Sequence, residues 1–297
     1  MTLCGFCGRD GLVPMFRAQD LNFHTTEEVF AVERCPTCGV AQTVPRATEE
    51  ELGHYYPSRY YPTVVLDASQ YERSIGRFQK DKVAFFRRYR TGGKLLDIGC
   101  GAGYFLRECS ASGFDAEGIE FSREAASFGR SQWQLRITEG DLLSAQLADG
   151  SFDVITMWQV FEHLPNASAA LDRVYALLRP GGLLVVAVPN IGSWQARLFR
   201  GRWYHLDVPR HQYHFEPRTL RALLAKRGFV VRGESHQSAE HNWAGIMGSL
   251  VEFSPSHISL AGRALRRYVG RPLAGAAAWL EAAMGKGGTF TLCAEKR

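Results

Sequence analysis

From Lys94 onward, short apolar runs alternate with longer amphipathic ones. The apolar runs fall at 94–98, 114–120, 135–138, 152–158, 183–188, 229–233 and 289–295. Each is short and rich in β-formers, which predicts buried strands. Most are separated by stretches with apolar residues at helical spacing, at 103–112, 122–132, 168–178 and 217–227. Strands joined through helices pair in parallel, and the crossover helices cover both faces of one sheet. The pattern therefore predicts an α/β fold: a Rossmann-like, seven-stranded, doubly wound sheet. In "LLRPGGLLVVAVPN" the helix is expected to stop at Pro180–Gly182, before a buried strand. Ligands of such sheets bind beyond the carboxyl ends of the strands, where strand order reverses.

Upstream, Ser69–Arg90 sets Ile75, Phe78, Val83, Phe85, Phe86 and Tyr89 among Lys and Arg, an amphipathic helix packed beside the first strand. Before it, "GHYYPSRYYP" (Gly53–Pro62) reads as an extended aromatic connector, because each Pro drives its predecessor away from helix. The N-terminal segment differs in kind. It carries two C-x-x-C pairs, Cys4 with Cys7 and Cys35 with Cys38, each followed by Gly. Four thiolates suit a closed, structural, tetrahedral zinc site. A segment this small cannot bury a sufficient core, and zinc can supply ~10–16 kcal/mol toward its folding. The expected organisation is a zinc ribbon at 1–45, a connector at 46–68 and the main domain at 69–297. Within that domain, residues 239–288 form an insertion between the last two strands.

The 297 residues are 45% hydrophobic and 22% charged, ample for a sizeable core, with a net charge of +5. That charge permits anionic partners without demanding nucleic acid. No signal-like N-terminus and no run of about 20 apolar residues is visible, so a cytoplasmic protein is expected. In a reducing compartment the seven cysteines read as metal ligands or core residues, the latter for Cys109 and Cys293.

The candidate chemistry follows the strand ends. After the first strand, "LLDIGCGAGYFL" places Asp97 before Gly99, Gly101 and Gly103, a G-x-G-x-G turn rather than the dinucleotide G-x-G-x-x-G. Glycines allow close approach of a ligand to the backbone, and the next helix offers amide donors. After the second strand stands Glu120, a carboxylate able to accept both ribose hydroxyls, followed by Phe121. After the third, "EGDLL" offers Asp141 to an amino group and Leu142 to the flank of a ring. After the fourth, "WQVFEHLPN" brings Gln159 and His163.

In order and spacing, "LLDIGCGAG", Glu120, "GDLL", "FDVITMWQVFEHLPN" and "LLRPGGLLVVAVPN" resemble the class I S-adenosylmethionine-dependent methyltransferases across Lys94–Asn190, and the strand pattern extends the match to Arg297. The resemblance implies S-adenosylmethionine as cofactor, its methionine half on the glycine turn. Around it would stand Asp97, Gly99, Gly101, Gly103, Glu120, Phe121, Asp141, Leu142 and Gln159. It also implies a methyl pocket edged by His163 and roofed by "WYHLDVPRHQYHF" (Trp203–Phe215), which holds His205, His211, His214, Tyr204, Tyr213, Asp207 and Arg210. His163, His211 and His214 are the candidate proton acceptors; a cap for His163 and hydrogen-bonding anchors for the other two are the plain alternatives. The loop's composition suits an anionic or hydroxylated acceptor.

The expected reaction is O- or C-methylation of a small-molecule, sugar or lipid-linked glycan acceptor. The four-cysteine module resembles that of methyltransferases acting on nucleotide-linked deoxysugars. A zinc-ribbon ribosomal-RNA methyltransferase is a second reading, disfavoured because no Asn-Pro-Pro-Tyr-type tetrad follows the fourth strand and the ribbon is not strongly basic. A non-catalytic cofactor-binding protein is the third. In the insertion, Arg263, Arg266, Arg267 and Arg271 interleave with Leu, Val and Trp. That pattern suits a helical lid, a dimer contact or a helix lying on an anionic membrane.

Overall fold

The computed structural model describes residues 2–57, 70, 72–238, 241–250 and 271–297. Of the insertion's arginines, Arg263, Arg266 and Arg267 lie outside the described residues, as do residues 58–68 of the connector. In chain order the elements begin with β1 (Val13–Gln19), β2 (Val29–Arg34), β3 (Ala41–Val44), α1 (Glu49–His54) and α2 (Arg77–Arg87). There follow β4 (Gly93–Ile98), α3 (Tyr104–Ala111), β5 (Phe114–Glu120), α4 (Arg123–Trp133), β6 (Arg136–Glu139), β7 (Phe152–Trp158) and α5 (Ala167–Leu177). The rest are β8 (Leu178–Pro189), α6 (Trp194–Phe199), β9 (Tyr213–His214), α7 (Pro217–Ala225), β10 (Phe229–Ser235), α8 (His241–Leu250), α9 (Arg271–Ala283) and β11 (Thr289–Lys296).

These elements gather into two compact units. One comprises Met1–Pro57, Val188–Leu220 and Ser235–Thr291; the other comprises Ser58–Ala187, Arg221–Glu234 and Leu292–Arg297. The boundaries differ from the sequence reading, because later segments join the N-terminal cysteine segment in one unit.

The second unit is built on the seven-stranded sheet, ordered β10-β11-β8-β7-β4-β5-β6. The pairs β4–β5, β4–β7, β5–β6 and β7–β8 are parallel. From β4 the order runs outward through β5 and β6 on one side and β7 and β8 on the other, so the switch point lies at β4. Leu95, Leu96, Val154, Ile155, Val185 and Val186 are buried, as continuous apolar runs in a covered parallel sheet must be. Val83 and Phe86 of α2 join this core, with Cys109 and Cys293. Two local expectations change. The connector opens with a helix, α1, fixed by a capping box between Thr48 and Glu51. Pro180–Gly182 does not stop a helix either: α5 ends at Leu177, and the Pro-Gly-Gly sits inside β8, where the register jumps between Phe152↔Leu178 and Val154↔Leu183.

In the first unit, β1, β2 and β3 form an antiparallel sheet that gains a fourth strand, β9, through the pairs Ala41↔His214 and Gln42↔Tyr213. Ala18, Phe30, Val32 and Ala41 of the sheet share a core with Ile191, Ala196, Trp203, Leu206 and Val208. The cysteine segment thus has an apolar partner of its own.

Candidate functional site

Beyond β4 the chain must turn sharply, and it does so on three glycines with positive φ: Gly99 at 69°, Gly101 at 55° and Gly103 at 82°. The turn is stitched to the end of β5, with the N–H groups of Gly99 and Cys100 donating to the Ile119 carbonyl at 2.8 and 3.1 Å. The glycines are not equivalent. A Cβ on Gly99 would lie 2.5 Å from Val160, and one on Gly103 2.4 Å from Leu135; one on Gly101 would meet nothing within 4 Å. Gly99 and Gly103 are therefore required by the protein's own packing. Gly101 leaves a bare backbone face beside α3's first turn, the cradle a close-lying ligand needs.

Glu120 ends β5, is 6% exposed and faces that turn. Its Oε2 accepts the Gly101 N–H at 2.7 Å and its Oε1 the Ser122 N–H at 2.7 Å. Each oxygen keeps a lone pair, so the carboxylate is held in place and can still accept hydroxyl donors. The adjoining loop is tied to the same residue, the Gly140 N–H donating to the Glu120 carbonyl at 3.0 Å. That contact brings Asp141 and Leu142 to the edge of the turn. Leu142 is buried, whereas Phe121 is 68% exposed, an apolar ring left open beside the acid. Asp141 accepts its own loop's Leu143 N–H at 2.8 Å and the Ser144 hydroxyl, which holds its carboxyl below the usual range.

Asp97 sits elsewhere than expected. It is buried within the sheet, its Oδ1 accepting the Thr156 hydroxyl at 2.6 Å. Burial pushes its carboxyl up to about 7, against the Thr156 hydrogen bond and the Lys82 charge, with the Glu120 charge adding to the rise. At the end of β7, Gln159 has φ 56°, a strained conformation for a non-glycine residue, and donates its N–H to the Ala187 carbonyl at 2.9 Å. His163 closes the 3-10 turn Phe161–His163 that follows. Two further residues escape sequence reasoning. Trp158 Nε1 and Gln79 Oε1 are buried polar atoms with no hydrogen-bond partner among the described residues. Nothing in a Trp at a strand end or a Gln on an amphipathic helix marks it in advance.

The residues fit an adenosyl ligand: a bare backbone cradle, a fixed carboxylate at the adjacent strand end, an exposed ring beside it and an unsatisfied indole donor. A methyltransferase domain matches residues 70–233, more than half of the chain and the whole of this rim. The chain belongs to the methyltransferase family. Over 109 residues it is 36% identical to a ubiquinone biosynthesis O-methyltransferase of Psychrobacter cryohalolentis, covering 34% of this chain and 42% of that protein. Over 131 residues it is 28% identical to a malonyl-[acyl-carrier protein] O-methyltransferase of Pectobacterium atrosepticum, covering 44% and 51%. The matched stretch thus spans about half, or less, of these curated relatives. A crystal structure of a SAM-dependent methyltransferase from Archaeoglobus fulgidus superposes with a TM-score of 0.52 at 20% identity, over 76% of this chain and 97% of that one, a likeness of fold.

The chain's other chemical cluster lies in its first unit. Cys4 and Cys38 sulfurs are 3.7 Å apart and those of Cys7 and Cys35 3.6 Å, with all four within 4.8 Å of one another. Tetrahedral zinc with bonds of about 2.3 Å needs sulfurs about 3.8 Å apart, a spacing that both of these pairs match. Gly8 and Gly39, at φ 72° and 79°, turn each knuckle back on itself, their N–H groups donating to the Cys4 and Cys35 carbonyls.

The histidine loop is more enclosed than its composition suggests. His214 is buried in β9 against Thr43 Oγ1 at 3.1 Å, and burial lowers its ring to about 3. His205 is buried with its Nε2 2.8 Å from the His241 carbonyl and lies at about 3 for the same reason, helped by the His241 charge. Both rings are neutral packing elements. His211 Nδ1 lies 3.0 Å from the His205 carbonyl, which fixes the proton there and makes Nε2 the basic nitrogen. Arg210, expected to face an anionic acceptor, is fully buried. It pairs with Asp207 at 2.8 Å and with Asp20, and donates to the Tyr55 carbonyl at 3.1 Å. Burial alone would raise the Asp20 carboxyl, but hydrogen bonds from Arg210 and Thr25 outweigh it and hold it at about 2.

Proposed function

We propose that this chain is an S-adenosylmethionine-dependent enzyme that methylates an oxygen on a small-molecule, sugar or lipid-linked acceptor. The observation that carries the reading is the buried Glu120 carboxylate bridging the Gly101 and Ser122 N–H groups beside a bare glycine face. Glu120 clasps the ribose hydroxyls, Phe121, Asp141 and Leu142 flank the adenine, and the Gly99–Gly103 turn takes the methionine half. Gln159 and the Trp158 indole N–H reach the same half from the end of β7. Asp97 acts from beneath, as a buried carboxyl supporting the floor of the turn. When bound, the cofactor supplies an electrophilic methyl, so the protein's remaining tasks are to align a nucleophile and accept its proton. His163, on the turn after β7, is our first candidate for that proton, and His211, with Nε2 as its basic nitrogen, the second. His214 anchors its strand. The four cysteines hold a structural zinc ion with no open position.

Oxygen is preferred as the acceptor atom because the two relatives compared above are named O-methyltransferases. Transfer of labelled methyl from S-adenosylmethionine to a small-molecule extract and to total RNA tests the reading. Label in the small molecules supports it. Label confined to RNA, or in neither pool, overturns it.

A further inference from the structure

Helix α9 has its amphipathic character reversed. It buries Ala274, Ala278, Ala282 and Glu281, and leaves Leu273 at 65%, Trp279 at 65%, Leu280 at 50% and Met284, just past its end, at 57% exposed. At 100° per residue, Leu273, Leu280 and Met284 fall in one line, with Ala276 about 60° and Trp279 about 120° to one side of it. Globular helices ordinarily turn their large apolar residues inward. A rotation of α9 would restore that order, yet the helix is pinned against it. The Glu281 carboxylate is 2% exposed and accepts the Gln195 backbone N–H at 2.9 Å and the Gln195 side-chain N–H at 2.8 Å. Gln195 in turn accepts the Trp203 indole N–H at 3.0 Å. Turning Leu or Trp inward would break this buried network and overfill a seat shaped for alanine.

We propose that the Leu273–Met284 face of α9 docks on an anionic lipid surface. The charge pattern favours lipid: Arg271 and Lys286 bracket the face in sequence, and the one acid between them, Glu281, is the residue turned inward. Trp279, on the flank of that face, is the side chain most at home between headgroups and acyl chains. Thirteen residues make a helix about 20 Å long, too short to span a bilayer and suited to lying flat. A second copy of the chain fits less well. Four such side chains offer roughly 500 Å², at the upper end of what a monomer exposes and short of the about 800 Å² per partner of a stable interface. The inference does not depend on the methyl-transfer reading.

Co-sedimentation of the full chain with vesicles tests it, using phosphatidylcholine alone and an equal mixture of phosphatidylcholine and phosphatidylglycerol. The expected result is binding to the mixed vesicles, weakened by salt and reduced about tenfold or more in the double variant Trp279→Ser, Leu280→Ser. All altered positions are exposed, and unchanged circular dichroism confirms that the fold persists. Brominated lipid should quench part of the tryptophan emission of the wild type but not of Trp279→Phe, which retains binding. No binding to the mixed vesicles, equal binding by the double variant, or a wild-type dimer that the double variant dissolves would each overturn the proposal.

Discussion

At the scale of single residues, adjacent glycines of one turn answer to different demands. Gly103 is required by Leu135, so Gly103→Ala should destabilise the protein by a few kcal/mol, through both the clash and the positive φ. A Cβ on Gly101 would meet no protein atom within 4 Å. Gly101→Ala should cost only about 1–2 kcal/mol in stability, yet weaken S-adenosylmethionine binding at least about tenfold. Thermal melts with and without the cofactor separate the two; equal effects on fold and binding from both variants would contradict the assignment. Asp97 carries a pH signature. Its carboxyl is raised to about 7 when folded, against about 3.9 unfolded, so between those values only the unfolded chain gives up the proton. Stability conferred by the protonated form is complete below about pH 4 and is lost as pH rises through about 7. Asp97→Asn, which keeps an acceptor for Thr156, should flatten that decline in denaturant melts across this window.

At the scale of elements, whatever depends on local periodicity was legible. The strands that form the sheet and the four helices read between them lie within a few residues of the sequence pattern, because each buries one continuous run or one stripe. The exceptions turn on tertiary contacts. β9 is two residues long and exists because β3 offers an edge, which no propensity in "QYHF" announces. Arg210 and His214 look like surface chemistry in sequence and are buried because Asp20 and Thr43, about 170–190 positions away, receive them. The gathering of the two C-x-x-C pairs was readable outright, since each pair's spacing is local and does not depend on the rest of the fold. Cys35→Ser should therefore abolish bound zinc, from a single ion per chain by mass spectrometry, and lower the melting temperature. S-adenosylmethionine affinity should stay within about twofold, because Glu120 and the glycine turn belong to the other unit. Zinc retained in that variant would show that the tetrad is not the site.

At the scale of the whole molecule, one unit carries the strand-end rim that fits a cofactor and the other carries the cysteine tetrad, the histidine loop and α9. The rim was the more legible of the two: Gly99, Gly101, Gly103, Glu120 and the "GDLL" loop come together where the sequence placed them, and only Asp97 turns inward, toward Thr156. The histidine loop was less so, since His205, Arg210 and His214 are spent on holding their own unit together. A ligand that binds only the folded rim should stabilise the chain by about 2.7 kcal/mol at a hundredfold excess over its Kd. Calorimetric titration of S-adenosylmethionine, with NAD in parallel, into the wild type and Glu120→Ala reaches the central claim most directly. The expected result is one S-adenosylmethionine per wild-type chain, no heat from NAD, and binding weakened about a hundredfold or lost in Glu120→Ala with zinc content unchanged. Normal binding by Glu120→Ala, or NAD taken up in place of S-adenosylmethionine, would contradict it.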